Sequence, residues 1–216
     1  MRSRPGKLLA ALAAAAVATA LAPAAASAVP ASIVGTAANT FSAASYDHDA
    51  GTVAQMTSTG GSHNATSSTA GLFSSNTISS GTTPVNGTQY LPLGTYAFSC
   101  TVHPGMNSSL NVNAGIPKQL PTVALKVKTK SLDQALKKGV KVEVTITGGS
   151  GEQAEVTLKL GNKVIGGPAT TTATGTVKMK LNKKGKSAFA KKDKAKVTAA
   201  AAIDFGAPAS AKSTLK

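Results

Sequence analysis

The run Tyr96-Ala-Phe98-Ser-Cys100-Thr-Val-His103-Pro-Gly-Met106 places the only cysteine of the chain beside a histidine and a methionine at intervals of three residues. A thiolate, an imidazole and a thioether are soft and borderline donors that suit copper, and with one more imidazole they complete the donor set of a mononuclear type 1 site. His63 is the candidate for that fourth donor. Taken singly, each residue has a plainer reading: a lone cysteine or methionine is most often buried core filler. The coincidence of Cys100, His103 and Met106 in one loop, with His63 available, favours metal ligation. Met106 is the least constrained of the four, and the carbonyl of Gly105, or no axial ligand at all, is the alternative to it.

The elements that must position these donors are strands. Tyr96, Phe98 and Cys100 alternate with Thr95, Ala97 and Ser99, the period of a half-buried strand that ends at the cysteine. Pro104 and Gly105 turn the chain, and apolar alternation resumes at Leu110 and Val112. Upstream, Thr52-Val-Ala-Gln-Met-Thr57 reads as a strand, and Gly60-Gly61 as a turn that delivers Ser62-His63-Asn64 on a separate segment.

The order His63-Asn64, long gap, Cys100-x-x-His103-x-x-Met106, with Gly94-Thr95-Tyr96 leading into the cysteine strand, resembles the cupredoxins in their plastocyanin and amicyanin-like branch, over about residues 33 to 114. The resemblance implies a Greek-key β-sandwich that binds one type 1 copper ion. It makes His63, Cys100, His103 and Met106 the metal ligands, and gives Asn64 the task of tying the two ligand loops together near the sulfur.

The sequence Tyr46-Asp47-His48-Asp49 reads as a solvated turn, because neighbouring residues on a turn rarely converge on one ion. The glycosylation-like triplets at Asn64, Asn86 and Asn107 are what chance supplies in a chain rich in Ser, Thr and Asn.

The first residues, Met1-Arg-Ser-Arg4-Pro-Gly-Lys7, are basic and precede an apolar stretch from Leu8 to Leu21 and then Ala26-Ser27-Ala28. This is the pattern of a secretory signal peptide over residues 1 to 28. Cleavage would release a soluble protein from Val29, secreted or attached to the cell envelope; an uncleaved anchor is the alternative. In an oxidising compartment a single cysteine cannot form an internal disulfide, and a metal would protect it as thiolate.

Charge marks a seam. From Leu8 to Pro117 there is no Lys or Arg, whereas Lys118 onward carries 20 of the chain's 23 basic residues. The expected organisation is a copper-binding domain at 29–114, a linker at 115–121 stiffened by Pro117 and Pro121, a second domain at 122–205 and a flexible tail at 206–216.

Between Val123 and Val197, runs such as Val140-Lys-Val142-Glu-Val144-Thr-Ile146 and Val156-Thr-Leu158-Lys-Leu160 put apolar residues on one face and lysines on the other. This is the pattern of an antiparallel sandwich with one wet face per sheet. It resembles immunoglobulin-like modules of bacterial surface proteins, on pattern alone. Gly148-Gly149-Ser-Gly151, Gly161-Asn162 and Gly166-Gly167-Pro168 are the expected turns, and Ser131 to Leu136 one helical turn. The whole chain is therefore expected to be all-β.

Two functions follow. One is an exported carrier of single electrons with a transient redox protein partner. The other is a copper-binding surface or storage module whose basic second domain adheres to anionic cell-wall polymers or membrane headgroups. An enzyme is disfavoured, because a second copper centre needs histidines and only His48 is left. Specific nucleic-acid binding is disfavoured too, since Arg is absent from the basic half and Phe189 and Phe205 are its only aromatics.

Overall fold

The computed structural model describes residues 28–216. Except for Ala28, the signal peptide expected at 1–28 lies outside the described residues. The strands divide between two hydrophobic cores, and the all-β expectation holds.

The first unit comprises β1 (Ser32–Gly35), β2 (Ser45–Ala50), β3 (Gln55–Ser58), β4 (Thr66–Ser67), β5 (Ser74–Ser75), β6 (Gly81–Asn86), a 3-10 turn (Thr88–Tyr90), β7 (Gly94–Ser99) and β8 (Asn107–Gly115). They form one eight-stranded hydrogen-bonded run in the order β1-β3-β6-β5-β4-β7-β8-β2. The β1–β3 and β2–β8 pairs are parallel. Alternation on β7 works as read: Phe98 and Cys100 point into the core while Thr95 and Ala97 are exposed. Phe98 is its centre, with Phe41 edge-on at 4.9 Å between ring centroids and Phe73 at 6.3 Å. Ile33, Met56, Val85 and Leu110 close the core around it, all fully buried. Each such side chain stabilises the fold by about 1.5–3 kcal/mol relative to exposure.

The expected solvated turn at Tyr46 to Asp49 is instead strand β2, and His48 is only 1% exposed. Parallel pairing with β8 sets His48 opposite Val112, so the period-two rule carries the imidazole inward. Its Nδ1 accepts the N–H of Ala31 at 3.1 Å.

The second unit comprises β9 (Thr122–Val127), α1 (Leu132–Lys138), β10 (Val140–Thr147), β11 (Ala154–Leu160), β12 (Lys163–Thr171), β13 (Gly175–Met179), α2 (Lys183–Phe189), β14 (Ala195–Ile203) and β15 (Ala209–Leu215). A three-stranded sheet, β13-β10-β9, packs on a four-stranded one, β12-β11-β14-β15. Val142, Val144, Val156, Leu158 and Val197 fill the space between them.

Two expectations fail here. Gly166-Gly167-Pro168 is not a turn but lies inside β12, where the register against β11 shifts between Val156 and Leu158. Gly167 sits at φ 90°, and a Cβ there would come within 2.8 Å of the Val156 carbonyl oxygen; glycine is what a bulge needs. Pro168 is tolerated because β12 is an edge strand. The flexible tail of 206–216 is instead β15, paired with β14 from Ala201↔Ala209 to Ala195↔Leu215. Leu215 is fully buried, and Lys216 is clamped by backbone bonds to Lys130 and Leu132, each 2.9 Å.

Residues 116 to 121 run between the units without regular structure, though not free of contact. Lys118 N–H donates to the Gln89 carbonyl at 2.9 Å. Gln89 Nε2 donates to Glu152 at 3.3 Å, Tyr90 Oη–H donates to the same carboxylate, and the Tyr90 and Phe205 rings lie 5.7 Å apart. Tyr90 precedes β7 whereas Cys100 follows it, so this junction is at the opposite end of the first unit from the cysteine. Among the described residues no helix is long and apolar enough to cross a membrane.

Candidate metal centre

Cys100 emerges from β7 directly into a tight loop. Its N–H donates to the Met106 carbonyl at 3.0 Å, and Met106 N–H donates to the His103 carbonyl at 3.2 Å. These bonds close the hairpin at its base, with Gly105 at φ 84° making the turn. Folding the loop this way sets Cys100 Sγ 3.7 Å from His103 Nδ1. Cys100 is a free, buried cysteine, and His103 is half-buried beside Val102, which is 44% exposed.

His63 comes from the separate segment after Gly60-Gly61. Reciprocal backbone bonds with Ile78, both 2.9 Å, pin it in an isolated bridge. Its ring is fully buried, 4.9 Å between centroids from that of His103. Nε2 lies 2.8 Å from the Gly60 carbonyl oxygen. A carbonyl only accepts, so Nε2 carries the proton and Nδ1 keeps a free lone pair. That Nδ1 is buried without any hydrogen-bond partner. Among the described residues it is one of two buried side-chain polar atoms left so, the other being Nε2 of His48; such an orphan is costly, and this one belongs to the residue that ligation would use.

One ligand atom each from His63, Cys100 and His103 lie within 4.8 Å of one another. Donors held by a single ion at about 2.0–2.3 Å stand roughly 3–4 Å apart, so closing the group on a metal needs the widest pair to approach by about 1–2 Å. These three residues could hold a metal ion. Met106 is buried at the base of the same loop, 3% exposed, back to back with Cys100 through the main chain.

Asn64 links the two segments. Its Oδ1 accepts the Thr101 N–H at 2.8 Å, and its Nδ2 donates to Thr101 Oγ1 at 2.7 Å and to Thr77 Oγ1 at 3.0 Å. Sequence reasoning reached Asn64 but missed Thr101 and Thr77, whose hydroxyls carry no signal of their own. It also missed Gly35 on β1, where a Cβ would come within 2.8 Å of the His63 ring.

No protein-family model matches the chain, and no curated protein is significantly similar to it.

Proposed function

We propose that His63, Cys100, His103 and Met106 hold one copper ion in a type 1 centre, and that the protein is an exported carrier of single electrons of the cupredoxin kind. The observation that carries this reading is the buried, unpartnered Nδ1 of His63 beside a thiol and a second imidazole. Copper bound by such a mixed sulfur and nitrogen set would supply a one-electron couple between Cu(II) and Cu(I).

The chain's own residues do the remaining work. The Gly60 carbonyl fixes the tautomer and orientation of His63, as hydrogen bonds opposite a ligating nitrogen commonly do. The Asn64–Thr101 bonds tie the two loops together, and the Cys100–Met106 pairing keeps the second loop in shape. A site held rigid by its surroundings rearranges little when charge changes, and little rearrangement means a low barrier to transfer. His63 and Cys100 are shielded from water, whereas His103 stands half-open at the loop surface, the side from which a redox partner would approach. The function is transfer, not turnover of a substrate.

The test is to load the protein with Cu(II) and record its visible spectrum with that of Cys100→Ser. The expected result is an intense sulfur-to-copper band that disappears in the variant; a colourless complex in both would overturn the copper site. Electron self-exchange of the loaded protein then separates carrier from storage module, because slow exchange removes the carrier role and leaves copper binding intact.

A further inference from the structure

We propose that the second unit carries a binding groove for a flexible linear polyanion of closely spaced phosphates, built from lysines of three different elements. Lys137 and Lys138 end α1, Lys178 and Lys180 flank the last residue of β13, and Lys186 lies on α2. All five line one concave groove of about 270 Å³. Lys138 also borders a neighbouring groove of about 300 Å³ together with Lys128 and Lys141, so the basic band continues around the helix end.

The convergence is built in by backbone contacts. Gly139 ends α1 at φ 81°, and a Cβ there would come within 2.6 Å of the Met179 carbonyl oxygen; only glycine lets the helix end sit against β13 so closely. Met179 is 1% exposed, which turns Lys178 and Lys180 on either side of it outward together. Asn182 caps α2 by accepting the Gly185 N–H at 2.8 Å, and Gly185 packs on Ile165, fixing where Lys186 projects.

The five lysines lining the first groove make no ion pair among the described residues. Among the described residues the only ion pair is Lys128–Glu143 at 3.4 Å. Asp133 stands one helical turn before Lys137 yet makes no ion pair with it. Five ammonium groups sharing one groove repel one another, and a multiply charged anion relieves that repulsion while releasing its own counterions.

The chemistry narrows the ligand. Ammonium groups act as point charges and do not read a planar group as a guanidinium fork does. Phe189, the nearest aromatic in sequence, is buried and offers no stacking surface for a base. A concave channel suits a thin chain better than a flat lipid surface or a wide duplex.

The experiment titrates full-length protein with inorganic polyphosphate over a series of salt concentrations. It compares wild type with the triple variant Lys138→Gln, Lys178→Gln, Lys186→Gln, and with a charge-matched control, Lys163→Gln, Lys196→Gln, Lys212→Gln, none of whose positions lines either groove. The groove variant is expected to bind at least about tenfold more weakly, with a salt slope shallower by about two, since each lost contact removes about 0.7. The control is expected to lose less than about threefold. Absence of saturable binding, equal loss in both variants, or tighter binding to duplex DNA or to anionic vesicles at matched charge would each overturn the proposal. Circular dichroism of the variants, whose altered side chains are all exposed, verifies that both remain folded.

Discussion

Asn64 and Thr101 are joined twice, through the Thr101 backbone N–H at 2.8 Å and its hydroxyl at 2.7 Å, across 37 positions of sequence. This pair locks the residue after His63 to the residue after Cys100. Breaking it frees the two ligand segments to drift, and outer contacts of this kind are typically worth about 10–100-fold in metal affinity. Asn64→Leu is therefore expected to weaken metal binding by that factor, measured by competition with a chelator, while Thr77→Val, which loses one hydroxyl contact, costs less.

Gly35 is a spacing device for His63. A methyl group at this position would sit 2.8 Å from the imidazole Cγ and Cδ2 and 2.9 Å from Met56 Cε. A buried ring and a core methyl have little room to yield, and overpacking of this sort costs about 1–3 kcal/mol. Gly35→Ala is expected to lower unfolding stability by that amount in denaturant titrations and to reduce metal affinity as well, because the relieving motion displaces His63, one of the proposed ligands.

At the junction, burial pushes the Glu152 carboxyl up, but hydrogen bonds from Tyr90 Oη–H, from backbone N–H groups including that of Ser150, and from Gln89 outweigh it and leave it below the usual carboxylate value. A carboxylate held low in the folded state stabilises fully above its unfolded value, about 4.3, and the contribution fades as pH falls through the folded value. Acidification below about pH 4 is expected to loosen the contact between the units. At neutral pH, Tyr90→Phe is expected to lower Tm by about 2–4 °C, the shift that 1 kcal/mol gives a chain of this size.

His48 gives a second acid sensitivity, one that sets in at higher pH. Burial pushes its imidazole down, and the backbone at Thr88 and Thr52 and the charge of Asp49 oppose this only in part. The unfolded chain takes up a proton near pH 6.5, which the folded one resists, so stability is full above that pH and declines below it. His48→Gln is expected to cost about 1–3 kcal/mol at pH 7.5 through the lost packing and the Ala31 N–H left short of its acceptor. The gap to wild type should narrow as pH falls toward 5 in parallel denaturant series; a constant gap would refute the assignment.

The donor loop was legible in the chain itself because its chemistry is local: Cys100, His103 and Met106 share one short turn, and the alternation of Tyr96, Phe98 and Cys100 belongs to a single strand. The lysine-alternating runs were legible for the same reason and became β10 and β11. What long-range pairing decides was not. That the ring of His63 meets Cys100, that Thr101 receives Asn64, that His48 is swallowed by β2 against β8, and that a segment as weakly patterned as Ala209 to Leu215 is held as β15 all depend on neighbours far away in sequence. Side-chain type and period are written residue by residue, whereas burial and the partner of an orphan nitrogen exist only once remote strands have closed on one another.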